Sequence, residues 1–182
     1  MLGQLEEKIG YVFQDPSLLK RAFMHASARE GVHSYERLEF LGDRVLALCL
    51  SDLLLRTFES EAEGPLAKRL AYLASAPCIQ KVSSSLNLVA YVTTTAQHPS
   101  ASQKLAADLC EGLIGAIYVE GGLAPAKACI QSLWEPIMKE QPEPPQDSKT
   151  LLQEWLQARG MKLPEYLLEE RTGPEHRSRF VV

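Results

Sequence analysis

The chain has no run approaching the roughly 20 continuous apolar residues of a membrane span, so no membrane partner is expected. Its opening residues, Met1-Leu2-Gly3-Gln4-Leu5-Glu6-Glu7-Lys8, lack the basic and apolar regions of a secretory signal. Cys49, Cys78, Cys110 and Cys129 form no C-x-x-C pair, which excludes a zinc ribbon or dithiol motif and leaves free buried thiols in a reducing cytoplasm as the expectation. Neither His25 nor His33 has a second histidine at metal-ligand spacing. An overall excess of basic residues is missing too. The net charge of −4, taken whole, speaks against a nucleic-acid partner.

The distribution of charge points the other way. Residues 1–147 hold 18 acids and 13 bases, and five of those acids are Glu36, Glu39, Asp43, Asp108 and Glu111. Without them the segment balances, so the acidity is local. In Glu36-Arg-Leu-Glu-Phe-Leu-Gly-Asp43, helical spacing puts Glu36, Glu39 and Asp43 within an arc of about 60°. Leu38, Leu41, Val45 and Leu48 lie on the far side as the packing face. Like charges on one stripe repel by about 1 kcal/mol per close pair in water, and by several times that where solvent is partly excluded. A metal ion would compensate. Asp108 and Glu111 form a second such pair at i and i+3. Two helices carrying carboxylates, with no Cys or His among them, suit Mg²⁺ or Mn²⁺ rather than zinc. The alternative is that both stripes are solvated faces.

The elements between follow from local signals. A short helix over 4–12 ends near Gly10. Asp15 caps a second helix with Pro16 at its first position. The central helix runs from about Tyr35 to Phe58, and Gly42 within it, which costs about 1 kcal/mol relative to Ala, implies a close neighbouring backbone. Pro65 opens a helix over 66–76, with Lys68 and Arg69 on a solvated face, and Pro77 opens the next, to about Leu86. Leu88–Val92 can pass for a strand, and 93–102 reads as a loop. Lys104–Val119 is a helix in which Gly112 and Gly115 also admit a close neighbour, ended by Gly121-Gly122. A helix over 124–139 buries Ile130, Leu133, Trp134 and Ile137. The proline-rich stretch from Gln141 is a linker. Asp147 caps a helix over 148–159, followed by strands at 165–171 and 178–182. A helix and half a hairpin cannot close a core alone, so this last piece is expected to be incomplete as it stands.

Glu36–Asp43 resembles the signature motif of the ribonuclease III family. Ala107–Tyr118 is similar to that family's second acidic helix, Phe23-Met-His-Ala-Ser27 to its His-x-Ser element, and Glu63-Gly-Pro-Leu66 to its loop between helices. The tail, through Lys149–Gln157, Leu163–Tyr166 and Gly173–His176, resembles the first half of the double-stranded-RNA-binding domain of bacterial members. The resemblance implies an all-α endonuclease domain at 1–140, a linker at 141–147, and at 148–182 the first part of an α+β RNA-binding domain. It implies a homodimer that hydrolyses double-stranded RNA with Mg²⁺, or Mn²⁺ in its place, leaving 5′-phosphate and 3′-hydroxyl ends with short 3′ overhangs, in rRNA and mRNA processing. By position, Glu39, Asp43, Asp108 and Glu111 are the metal-binding carboxylates, with Asp43 and Glu111 catalytic, and Glu36 is an accessory acid in the substrate valley. Phe40 resembles the aromatic that plugs into the partner subunit. Thr150, Gln153, Glu154 and His176 correspond to RNA-contacting positions. The chain departs from the family in lacking the basic helix of the RNA-binding domain. It also departs at 93–106, where bacterial relatives carry a glycine-rich stretch and a small polar residue near Lys104. A non-catalytic RNA-binding relative is the alternative function; it predicts lost carboxylates, and all five are present.

Overall fold

The computed structural model describes residues 2–24, 35–93, 102–141, 143–145, 148–164, 170–172 and 179–181. The chain divides into two compact units, Met1–Pro145 and Gln146–Val182. Among the described residues the first unit is built of helices: α1 (Leu2–Ile9), α2 (Pro16–Ala22), α3 (Glu36–Thr57), α4 (Glu63–Leu73), α5 (Ala76–Leu86), a 3-10 turn (Leu88–Tyr91), α6 (Gln103–Gly121) and α7 (Leu123–Lys139). The second contains α8 (Ser148–Gln157) and the strands β1 (Glu170–Thr172) and β2 (Arg179–Val181). The strands pair antiparallel, with Arg171 opposite Phe180.

Capping residues set several of these boundaries. Asp15 accepts from the Ser17 amide and Pro16 opens α2, while Ser75 and Ser102 accept from the amides of Cys78 and Leu105 to start α5 and α6. Gly10 ends the α1 segment at φ +66°, and Gly122 turns the chain from α6 into α7 at φ +79°. Helix α6 is the centre of the unit. Every residue from Leu105 to Ile117 is buried except Glu111. A helix that is apolar on all sides must be surrounded, and α3, α5 and α7 pack around it.

The α3–α6 contact is made by glycines. A Cβ on Gly42 would overlap the carbonyl of Glu111, and one on Gly115 would overlap the carbonyl of Leu38. The two backbones therefore touch, which places residues one turn to either side within reach across the pair. Gly112 faces the Ala22 carbonyl more loosely, at 3.3 Å from a built Cβ.

Two polar clusters hold the periphery. Glu120, in the last turn of α6, accepts from the Tyr11 hydroxyl at 2.8 Å and from the amides of Gln14 (3.0 Å) and Asp15 (2.9 Å), pinning the α1–α2 connection. Burial and the Glu120 carboxylate push the Tyr11 phenol up to about 12. At the other end, Arg69 donates to both oxygens of Glu61 at 2.8 and 2.7 Å, donates to the Gln141 carbonyl, and stacks 3.7 Å from the Phe58 ring. Arg69 is 3 % exposed, so its expected place on a solvated face is corrected: its partners lie outside α4, beyond the reach of helical periodicity. Trp134, fully buried, donates its indole N–H to the Leu73 carbonyl and ties α7 to the end of α4.

Other expectations are revised. Leu88–Tyr91 is a 3-10 turn, not a strand, because Asn87 at φ +56° redirects the chain out of α5. Helix α4 begins at Glu63, so Pro65 lies inside its first turn, where the missing amide costs no hydrogen bond. Leu48 is exposed rather than on the packing face. Leu133 and Ile137 are only half-buried. Helix α8 ends at Gln157. All four cysteines are free and buried. The expectations for His25, Ser27, His33 and Asp147, for most of the 93–102 loop, and for the turn at 173–177 fall outside the described residues.

The glycine contact is testable by substitution. Gly42→Ala and Gly115→Ala are each expected to lower unfolding free energy by about 3 kcal/mol or more, since the obstructing atoms are backbone and cannot rotate away. Gly64→Ala, with nothing within 4 Å of the added methyl, is expected to stay within about 1 kcal/mol of wild type. Urea denaturation monitored by circular dichroism measures all three.

Candidate active site

The close approach of α3 and α6 brings together carboxylates that are 69 to 72 residues apart in sequence. Glu39, Asp108 and Glu111 each present an oxygen within 4.8 Å of the others'. Asp108 is 7 % exposed, while Glu39 and Glu111 are half-buried. A cavity of about 410 Å³ opens on this cluster, lined by Tyr35, Glu36, Glu39, Phe40, Asp43, Lys104 and Glu111. A second cavity, of about 360 Å³, adjoins it on the α5 side and shares Lys104 and Glu111, with Asp108 on its wall.

Electrostatics bear the mark of that convergence. Burial pushes the Glu111 carboxyl up to about 7, helped by the charges of Asp43, Glu39 and Asp108 and opposed by Lys104. Glu39 is raised as well, by burial and then by Asp108. Glu36 and Glu39 lie in the first turn of α3, where the helix dipole favours negative charge. Lys104 donates to Asp108 Oδ2 at 2.7 Å, an i,i+4 pair along α6. Burial, with Asp108 and Glu39 adding to it, pushes the Tyr35 phenol up to about 12, so it stays protonated at neutral pH.

The expected site residues are thus distributed unevenly. Glu39, Asp108 and Glu111 form one cluster. Asp43 lines the same cavity and its charge bears on Glu111, but its carboxylate is paired with Arg44 and is not one of the three. Glu36 is exposed at the rim. Phe40 is 71 % exposed, with the Arg44 guanidinium 5.9 Å from its ring centre. Gln153 is half-buried in α8. The side chains of Thr150 and Glu154, and all of His176, lie outside the described residues. Tyr35 and Lys104 are the two lining residues that sequence reasoning missed. The i,i+4 spacing of Lys104 to Asp108 was an available signal. Tyr35 offered none beyond its place just ahead of the acidic stripe.

The donor set suits a hard divalent ion: oxygen only, three ligands on two rigid helices, and one lysine facing three carboxylates. A family model described as Ribonuclease-III-like matches residues 15–137, a span that contains all five acids. The chain belongs to the ribonuclease III family. The Ribonuclease 3 of Nitrobacter winogradskyi is 43% identical over 190 residues, covering 100% of this chain and 71% of that protein. The Ribonuclease 3 of Rhodopseudomonas palustris is 43% identical over 185 residues, covering 98% of this chain and 68% of the relative. Among solved structures, the nuclease domain of ribonuclease III from Campylobacter jejuni, described for flexibility in a region involved in dimer formation, superposes with a TM-score of 0.70 at 34% identity, over 75% of this chain and 97% of that one. Dicer from Pichia stipitis gives 0.58 at 26% identity, over 92% and 81% of the two chains. The helical fold and the ribonuclease III-type endoribonuclease class of this chain follow from these likenesses. Among the described residues no helix is long and apolar enough to cross a membrane.

The raised Glu111 carboxyl gives a pH test of the metal-free site. A carboxyl whose folded value lies above its ordinary 4.5 costs stability as pH rises through about 7 and costs nothing below about 4.5. In EDTA, Glu111→Gln is therefore expected to be more stable than wild type at pH 8, by about 1 to 2 kcal/mol after screening on the cavity side, and to match it near pH 4.5. Thermal unfolding across that range measures the difference.

Proposed function

We propose that this chain is a Mg²⁺-dependent endoribonuclease of double-stranded RNA, acting in the cytoplasm on structured rRNA and mRNA precursors. Its products would carry 5′-phosphate and 3′-hydroxyl ends with short 3′ overhangs. The observation that carries the reading is the convergence of Glu39, Asp108 and Glu111 from two helices whose backbones touch. These three, with Asp43 turning from Arg44 toward the cavity, would hold the metal, and Mn²⁺ would substitute. A bound divalent ion supplies positive charge for the phosphoryl oxygens and acidifies the attacking water.

The chain's own residues prepare that chemistry. Asp108, the most buried of the three, would be the ligand held in place by packing. Glu111, half-buried between the two cavities, would hold the metal where water can reach it. Glu36 at the rim would act on the substrate side. Glu39 and Asp43 lie one turn apart on α3 and both line the cavity.

A cleft with one such site cuts one strand, so a double-strand cutter needs two. Phe40, Leu48 and Leu55 are all exposed on α3 and fall within about 80° of arc, an apolar row that suits a homodimer. Residues 1–140 would be the endonuclease domain and 141–147 its linker. Residues 148–182 would be the first part of a double-stranded-RNA-binding domain, with Thr150, Gln153, Glu154 and His176 toward the minor groove.

Incubation of the protein with long double-stranded RNA, with and without Mg²⁺, tests the reading directly. Short duplexes bearing 5′-phosphates are expected only with the metal. Glu111→Gln and Glu111→Ala should cut about a thousandfold more slowly, or not at all, while still folding and binding RNA. A variant cutting at the wild-type rate sinks the site assignment. Phe40→Ala is expected to weaken the dimer about 30-fold, read by analytical ultracentrifugation, and an unchanged association constant removes Phe40 from the interface.

A further inference from the structure

Among the described residues, Lys104 is the one cation lining either of the two cavities that meet at the acidic cluster, and it lines both. Its ammonium sits 2.7 Å from Asp108 Oδ2, on the most buried carboxylate of the three. Its side chain is nonetheless 78% exposed, against 10% for Asp108. The lysine reaches inward from the first turn of α6 with most of its length in water. Rotation about its side-chain bonds alone can withdraw the ammonium, with no shift of the helix.

Two cations on one carboxylate repel each other, so a divalent ion at the cluster would compete with Lys104 for Asp108. We propose that Lys104 is a built-in counter-ion of the metal site, a positioning residue that holds the carboxylates together without metal and is displaced from Asp108 when a divalent cation binds. The inference rests on the metal-site reading above. Its consequence is that the chain sets its own metal affinity. One positive charge facing three carboxylates keeps the metal-free site folded, and the same charge makes the site a weaker ligand than its acids alone would be.

Isothermal titration of the full chain with Mn²⁺, with no RNA present, tests this. Lys104→Gln and Lys104→Met are each expected to bind Mn²⁺ about tenfold more tightly than wild type, and Lys104→Arg to stay close to wild type. In EDTA both neutral variants should melt below wild type, and saturating Mn²⁺ should raise their melting temperatures by more than it raises the wild type's. Lys104→Met retains the aliphatic stem, so it decides the matter if Lys104→Gln folds poorly. Equal or weaker Mn²⁺ binding by the neutral variants overturns the proposal. If wild type binds and Glu111→Gln does not, that result falls on Lys104 alone. If neither wild type nor the neutral variants bind Mn²⁺, the metal-site reading falls with it.

Discussion

The backbone contact between Gly42 and Gly115 is the constraint on which the site depends. Helices that pack through ordinary side chains hold their axes about 8 to 10 Å apart. Side chains that leave two such helices on the same side then need length to meet. At this crossing the methyl group of even an alanine would strike the Glu111 or Leu38 carbonyl. The short carboxylates of Glu39 and Asp108 can therefore come within 4.8 Å of each other and of Glu111. The glycines lie on the inner faces, with the acids about a turn away. A substitution that separates the helices would separate the acids as well, so packing and chemistry share one contact.

That arrangement is destabilising, and the fold offsets it elsewhere. Helix α6 is buried from Leu105 to Ile117 apart from Glu111, which gives the acids a rigid and partly dry setting. The same dryness raises Glu111 toward neutrality and raises Glu39. Stability comes from parts of the molecule remote from the acids. The Arg69 guanidinium joins Glu61, Phe58 and Gln141 at one end. Trp134 bonds to Leu73, and Glu120 gathers three donors at the far end of α6. Repulsion at the centre and strong ties at the periphery commonly accompany a preorganised charged site.

Residues whose partners lie within a turn or two were legible in the sequence. The cap Asp15, the acidic stripes and the stops at Gly10 and Gly122 all act through neighbours within about a turn. Gly42 was legible for another reason: its cost within a helix implied some close neighbour, although not which one. The misreadings share the opposite cause. Arg69 looks solvated on its own helix, and only Glu61 and Gln141, outside α4, make it a core residue. Leu48 fits an apolar face by period, yet it is 57% exposed. Leu88–Tyr91 has strand-like residues, but the left-handed Asn87 before it settles the conformation. Tyr35 was missed because it gains its meaning from Asp108 on the other helix as well as from Glu39 on its own, whereas the spacing of Lys104 to Asp108 was there to be read.

Burial divides the acids more sharply than their types do. On α6 Asp108 is closed in and Glu111 half-open, on α3 Glu39 is half-open, and Glu36 lies exposed. The sequence pattern made Glu36, Glu39 and Asp43 equivalent members of one stripe. The crossing breaks that equivalence: of the three, Glu39 joins the cluster with Asp108 and Glu111, although the charge of Asp43 also bears on Glu111. Asp43, a turn further along, pairs with Arg44 instead. A helix stripe specifies direction but not depth. Depth comes from the second helix, and it separates Glu39, which joins the α6 acids, from Glu36, which meets solvent.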